Sequence, residues 1–157
     1  MRLIEAGDDA AAVRKQALAL LARREHSSAE LRAKLAAKGF STDLINAALS
    51  GLDQEGWLKD ERFVETFIRA RRERGDGPVK IRAELRERGI DDELIAAHID
   101  VRDPVWQQSL ERLWVKRFRA KRPADFAEKG RQMRFFQGRG FTAEQIRAVT
   151  DRGEGRE

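Results

Sequence analysis

Arg82 and Arg86 stand four residues apart in PVKIRAELRERGI, which makes them neighbours on one helix face, with Lys80 and Arg88 beside them. Cationic side chains spaced in this way can hold phosphate or carboxylate oxygens through charge-assisted hydrogen bonds. Glu84 and Glu87 interleave with these bases, as they would on any solvated helix, and a stripe meant for duplex phosphates would be cleaner. As a binding surface it suits an acidic protein groove with accessible phosphate better than bare DNA. Further bases cluster at 69–74 and 116–122. The candidate contact residues are Arg69, Arg72, Arg74, Lys80, Arg82, Arg86, Arg88, Lys116 and Arg119.

Other chemistry is poorly provided for. The chain has no Cys and no Tyr, which removes disulfides, thiolate zinc sites and both nucleophiles. His26 lies between a helix and its cap, and His98 sits on the stripe of Leu94, Ile95 and Ile99; neither has partners at metal-ligand spacing in the sequence. Asp60 and Glu61 are adjacent, so their side chains diverge on a helix, and Asp60 reads as a cap rather than half of an acid–base pair. Gly75-Asp76-Gly77-Pro78 lacks the Lys-Ser/Thr pair of a phosphate loop. The expectation is a protein without catalysis, metal or cofactor.

Lys and Arg number 32 against 27 Asp and Glu, for a net charge of +5 and a pI near 10.0. Much of that charge has an ordinary explanation, since acids at helix starts and bases at helix ends complement the dipole in any helical protein. The amino terminus lacks the basic start and apolar run of a signal peptide, and no stretch is long and apolar enough for a membrane span. A soluble, cytoplasmic monomer is expected.

The elements that must position these residues all carry helical periodicity, and no period-two run occurs. Val13, Ala17, Leu20 and Leu21 form one stripe. Ser27 with Glu30 makes a capping box before Leu31 and Leu35, and Ser41 or Thr42 caps a helix carrying Ile45, Leu49 and Leu52. Phe63, Val64, Phe67 and Ile68 share a face of the next helix, which Asp60 caps. Arg71 falls inside that stripe, and Arg117 falls similarly near Leu113 and Trp114. Each either lays its stem on apolar surface or pairs with a half-buried carboxylate. Pro78 opens the helix of Ile81 and Leu85. Asp103-Pro104 opens one with Trp106, Leu110, Leu113, Trp114 and Phe118; Pro123 starts another with Phe126, Met133 and Phe136; Thr142 and Gln145 cap the last. The three Trp residues read as core.

The pattern repeats. Gly39-Phe40, Gly89-Ile90 and Gly140-Phe141 are spaced almost evenly. Leu35, Leu85 and Phe136 stand four positions before the glycines, Ile45, Ile95 and Ile146 six after, and a base immediately before each. Such self-similarity marks tandem units that bury their faces against one another. The fold class is therefore all-α, three tandem three-helix repeats forming an elongated array. The modules are expected at 1–56, 57–102 and 103–151, with a disordered tail at 152–157.

LARREHSSAELRAKL (21–35), DERF (60–63), GPVKIRAELRERGI (77–90) and RFFQGRGF (134–141), in this order, resemble the RecX family of recombination regulators. The likeness runs over about 17–149. Val64 stands where the family often has Ala, and the third module matches most loosely, with Gln132 in place of Leu31 and Ile81. The resemblance implies an all-helical protein that binds the RecA recombinase filament and inhibits or tunes it in recombination and repair, without catalysis. The alternative is a DNA-binding protein with tandem helix-turn-helix-like modules. Its reading positions should repeat, yet Arg82 and Arg86 have no patterned counterparts among Arg32, Lys34, Arg131 and Arg134. Single- or double-stranded DNA is expected to bind weakly and without sequence preference.

Overall fold

A computed structural model describes residues 6–151. Among these residues there are nine helices and no strand: α1 (Ala6–Arg23), α2 (Ser28–Ala37), α3 (Thr42–Gln54), α4 (Asp60–Glu73), α5 (Pro78–Glu87), α6 (Asp92–His98), α7 (Pro104–Phe118), α8 (Phe126–Gly138) and α9 (Ala143–Thr150). The expected tail at 152–157 lies outside the described residues. Among the described residues no helix is long and apolar enough to cross a membrane.

Each middle helix of a triplet, α2, α5 and α8, ends in the same way. Gly39, Gly89 and Gly140 take φ of 93°, 80° and 99°, and the residue after each donates its N–H to the carbonyl five positions back: Phe40 to Leu35, Ile90 to Leu85, Phe141 to Phe136. This left-handed stop satisfies carbonyls that the helix end would leave open. Leu35, Leu85 and Phe136 are fully buried, and Ile45, Ile95 and Ile146 are each 1% exposed, so the aligned positions share one environment.

The chain divides into two compact units, Met1–Thr66 with Leu85–Leu94, and Phe67–Glu84 with Ile95–Glu157. The first is built on Val13, Ala17, Leu31, Leu35, Ile45, Leu49, Leu52 and Leu58. Within it the start of α2 packs on the end of α5. Ser27 Oγ accepts from Glu30 N–H in the capping box and donates to Arg88 O at 2.7 Å, and a Cβ on Gly89 would overlap Ala29 Cβ. Asp60 corrects the expectation that it caps its own helix. It occupies the first turn of α4 after Lys59, whose carbonyl accepts from Phe63 N–H, and its carboxylate accepts from Ser28 N–H at 2.7 Å, capping α2 instead. Trp57, expected in the core, is 57% exposed because the Gly56 stop turns the chain away before α4 begins.

His26, 1% exposed, sits just before this junction. Its Nδ1 faces Arg24 O and its Nε2 faces Lys34 Nζ, each at 3.0 Å. A carbonyl can only accept and an ammonium only donate, which selects the neutral Nδ1–H tautomer. Burial holds its pKa below the ordinary histidine value against the hydrogen bond to Arg24 O, and the charges of Arg24 and Lys34 lower it further.

In the second unit Leu110, Trp114, Phe136, Phe141, Ile146 and Val149 form the core. The same junction recurs here, between the start of α5 and the end of α8. Gly77 N–H donates to Arg139 O at 2.6 Å and Val79 N–H to Gly140 O at 2.9 Å; a Cβ on Gly77 would lie 2.5 Å from Gly140 C. Asp76, fully buried and fifty positions after His26, binds Arg74 Nε at 2.7 Å, Lys80 Nζ at 3.3 Å and Arg139 at 3.7 Å. Gln132, at the position of Leu31 and Ile81, is buried because it accepts from Trp114 Nε1 and donates to Lys121 O. Pro123 does not start α8; Asp125 caps it by accepting from Glu128 N–H, and Phe126 lies 91% exposed rather than on the stripe.

Candidate functional site

The last turn of α4 and one face of α7 come together because both helices bury their apolar stripes: Ile68 on α4, and Trp106, Leu110 and Trp114 on α7. What remains outside is a cleft of about 370 Å³ lined by Arg72, Glu73, Arg74, Gly75, Ser109, Arg112, Leu113 and Lys116. Four cations face one carboxylate. Arg112 leans on Ser109 Oγ at 3.4 Å. Arg74 is anchored through Nε by the buried Asp76, and its two terminal nitrogens have no acceptor among the described residues. A cation held in this way loses less side-chain entropy when it meets an anion. Arg139 donates to the carbonyls of Arg74 and Gly75, fixing the turn that follows α4. The arrangement can take phosphate or carboxylate groups; it has no nucleophile paired with a base.

Arg72, Arg74 and Lys116 were legible in the sequence as separate charge clusters, and this cleft unites them. Arg112 was missed. It stands four residues before Lys116 on α7, a spacing that places both on one helix face and could have shown it.

The other candidates have different surroundings. Arg69 is exposed on α4. Lys80 is bound to Asp76. Arg82 is half-buried, with an Nε that has no hydrogen-bond partner among the described residues. Arg86 pairs with Asp92 at 2.7 Å, both side chains more than half exposed, so the pair contributes little to stability. Arg88 is half-buried and gives its carbonyl to Ser27. Arg119 lines a separate cleft at the end of α7. Of the two readings open for Arg71, pairing holds: it meets Glu84 at 3.2 Å, both largely shielded, and stacks on Phe67 at 4.6 Å. Arg117 instead lies over Phe118 and Phe135, at 5.6 and 5.2 Å.

Comparison with known proteins matches three successive family models: RecX, first three-helix domain, over residues 14–52; RecX, second three-helix domain, over 60–99; and RecX, third three-helix domain, over 107–150. The regulatory protein RecX of Halorhodospira halophila is 46% identical over 145 residues, covering 92% of this chain and 90% of its own. That of Pseudomonas entomophila is 42% identical, covering 88% and 90%. Among solved structures, RecX from Lactobacillus salivarius superposes with a TM-score of 0.79 over 92% of this chain and 96% of its own, at 19% identity, a likeness of fold. With three domains matched in order and relatives aligned over nearly their full length, the chain belongs to the RecX family of regulatory proteins.

Proposed function

We propose that this protein binds a RecA recombinase filament in the cytoplasm, as a monomer, and inhibits its ATPase and strand-exchange activity. The observation that supports this reading is the Arg72–Arg74–Arg112–Lys116 cleft, cationic and open, on a protein of the RecX family. A filament of protein wound on DNA offers acidic side chains beside phosphates, and a cleft of four cations with one acid suits that mixture. Contacts through several modules add avidity that one patch lacks. No catalytic step belongs to this reading.

Binding to bare DNA is then weak, sequence-tolerant and salt-dependent, because Glu73, Glu84, Glu87 and Glu111 interrupt the basic surfaces. The test is recombinase ATPase and strand exchange on preformed filaments, with and without the purified protein. Inhibition that weakens on reversing Arg72 and Lys116 to Glu supports the reading; unchanged activity at molar excess of the parent protein sinks it. Nanomolar binding to one duplex sequence, kept against random competitor, would favour the helix-turn-helix alternative.

A further inference from the structure

Of the three glycine stops, those of Gly89 and Gly140 are covered by a helix start from the preceding triplet. At the Gly89 stop Arg88 O accepts from Ser27 Oγ, and at the Gly140 stop Arg139 O and Gly140 O accept from the N–H groups of Gly77 and Val79. The Gly39 stop, at the end of α2, has no such cover. Lys38 O and Gly39 O accept from no donor among the described residues, and nothing lies within 4 Å of where a Cβ on Gly39 would stand. Phe40 stays half-buried, whereas Ile90 and Phe141, which hold the same place, are 4% and 3% exposed. Lys38 aligns with Arg139, which reaches Asp76; Lys38 itself meets Gln16 and no carboxylate among the described residues.

The start of α8 carries the counterpart groups. The N–H groups of Phe126 and Ala127 find no acceptor among the described residues, and the Phe126 side chain is 91% exposed. Asp125 and Glu128 make this end acidic, opposite in sign to Lys38. Gly130 holds the place of Ala29 and Val79, which lie against the Gly89 and Gly140 stops. Glycine weakens a helix interior, and a Cβ here would meet only the flexible end of Arg134, so this chain's own packing does not require it.

We propose that copies of this chain meet head to tail, with the start of α8 of one copy seated on the Gly39 stop of the next, as α2 and α5 are seated on the stops within the chain. The N–H groups of Phe126 and Ala127 then meet the carbonyls of Lys38 and Gly39, Glu128 approaches Lys38, and Phe126 covers Phe40. The positive end of one helix faces the negative end of another. Repeated units bury their faces against their neighbours, and the two faces left over at the ends of the series complement each other, which is the condition for a heterologous contact between copies. An acidic helix on another protein would supply the charge, but this chain already carries the acids, the free N–H groups and the glycine-sized notch together. A patch of this size leaves dilute protein monomeric and acts where copies are crowded. Such self-association goes beyond the recombinase reading and does not rest on it.

The experiment uses the full chain without recombinase. Because the chain has no Cys, single cysteines report the contact: Ala37→Cys at the end of α2 and Ala127→Cys in the first turn of α8, both at exposed positions and each in a separate chain. The two are mixed at about 1 mM, where a contact with a Kd of that order is populated, and joined with a short bismaleimide. Random collision gives the mixed product and the two like pairs in statistical proportion; a head-to-tail contact should raise the mixed product roughly five-fold above that. Adding Gly130→Gln to the Ala127→Cys chain puts bulk where Gly39 approaches and should remove the excess; it introduces a better helix former, so α8 is kept. Lys38→Glu in the Ala37→Cys chain should also remove it, and Glu128→Lys in the other chain should then bring it back. Statistical proportions from the parent pair, an excess of one like pair, or an excess that survives Gly130→Gln or Lys38→Glu would each overturn the proposal. A failure here leaves filament inhibition untouched, so the two readings separate.

Discussion

At the scale of single residues, the two buried polar positions fifty apart carry different predictions. His26 is neutral in the fold, with burial holding its pKa below the ordinary histidine value of 6.5. Above that value folded and unfolded chains agree in leaving it neutral, and its contribution is complete. As the pH falls below it, the unfolded chain takes up the proton first, so stability declines through the folded pKa and then levels. Urea denaturation between about pH 7.5 and 5.5 should show this loss, and His26→Asn should reduce it. Asp76 answers to its partners instead. Asp76→Ala leaves Arg74, Lys80 and Arg139 without their shared anion and should cost about 2–3 kcal/mol, read as a lower urea midpoint at unchanged slope.

At the scale of elements, the three glycine stops share a conformation and differ in what they touch. Nothing lies within 4 Å of where a Cβ on Gly39 would stand, whereas one on Gly140 would overlap Lys80 Cβ and crowd Gly77 O. Gly39→Ala should therefore cost only the left-handed backbone penalty, about 1 kcal/mol. Gly140→Ala carries that penalty and a steric one besides, about 3 kcal/mol in all, because the start of α5 must retreat. Thermal or urea unfolding of the two variants separates them. The first glycine ends a helix; the third also receives the next helix's backbone.

At the scale of the whole molecule, the proposed filament inhibition should depend on where charge is removed rather than on how much. Reversing Arg72 and Lys116 together should weaken inhibition on the order of ten-fold at low salt, with helicity intact, since both lie outside the core. Reversing the tail residues Arg152 and Arg156 changes net charge equally and should cost less. Circular dichroism checks the fold, and strand-exchange assays at two salt concentrations check the function. Equal losses from the two double variants would mean that only net charge matters.

The sequence by itself determined the helical class, the three repeated stops and most of the buried positions, because stripes at 3.6-residue period and left-handed glycines are local features. Leu35, Leu85 and Phe136 could be aligned on the page and share full burial in the structure. Caps were legible where the acceptor sits on its own helix, as at Ser27 and Thr142. Asp60 was misread since its partner, Ser28 N–H, is 32 residues away, and no local pattern records that. Trp57 and Phe126 were misread because periodicity reports a helix face but not whether another element covers it. The cleft belongs to the same class. Basic clusters were visible, yet only packing decided that Arg72 and Arg74 meet Arg112 and Lys116, that Asp76 restrains Arg74, and that Arg71 turns to Glu84, since such encounters depend on long-range contacts between helices.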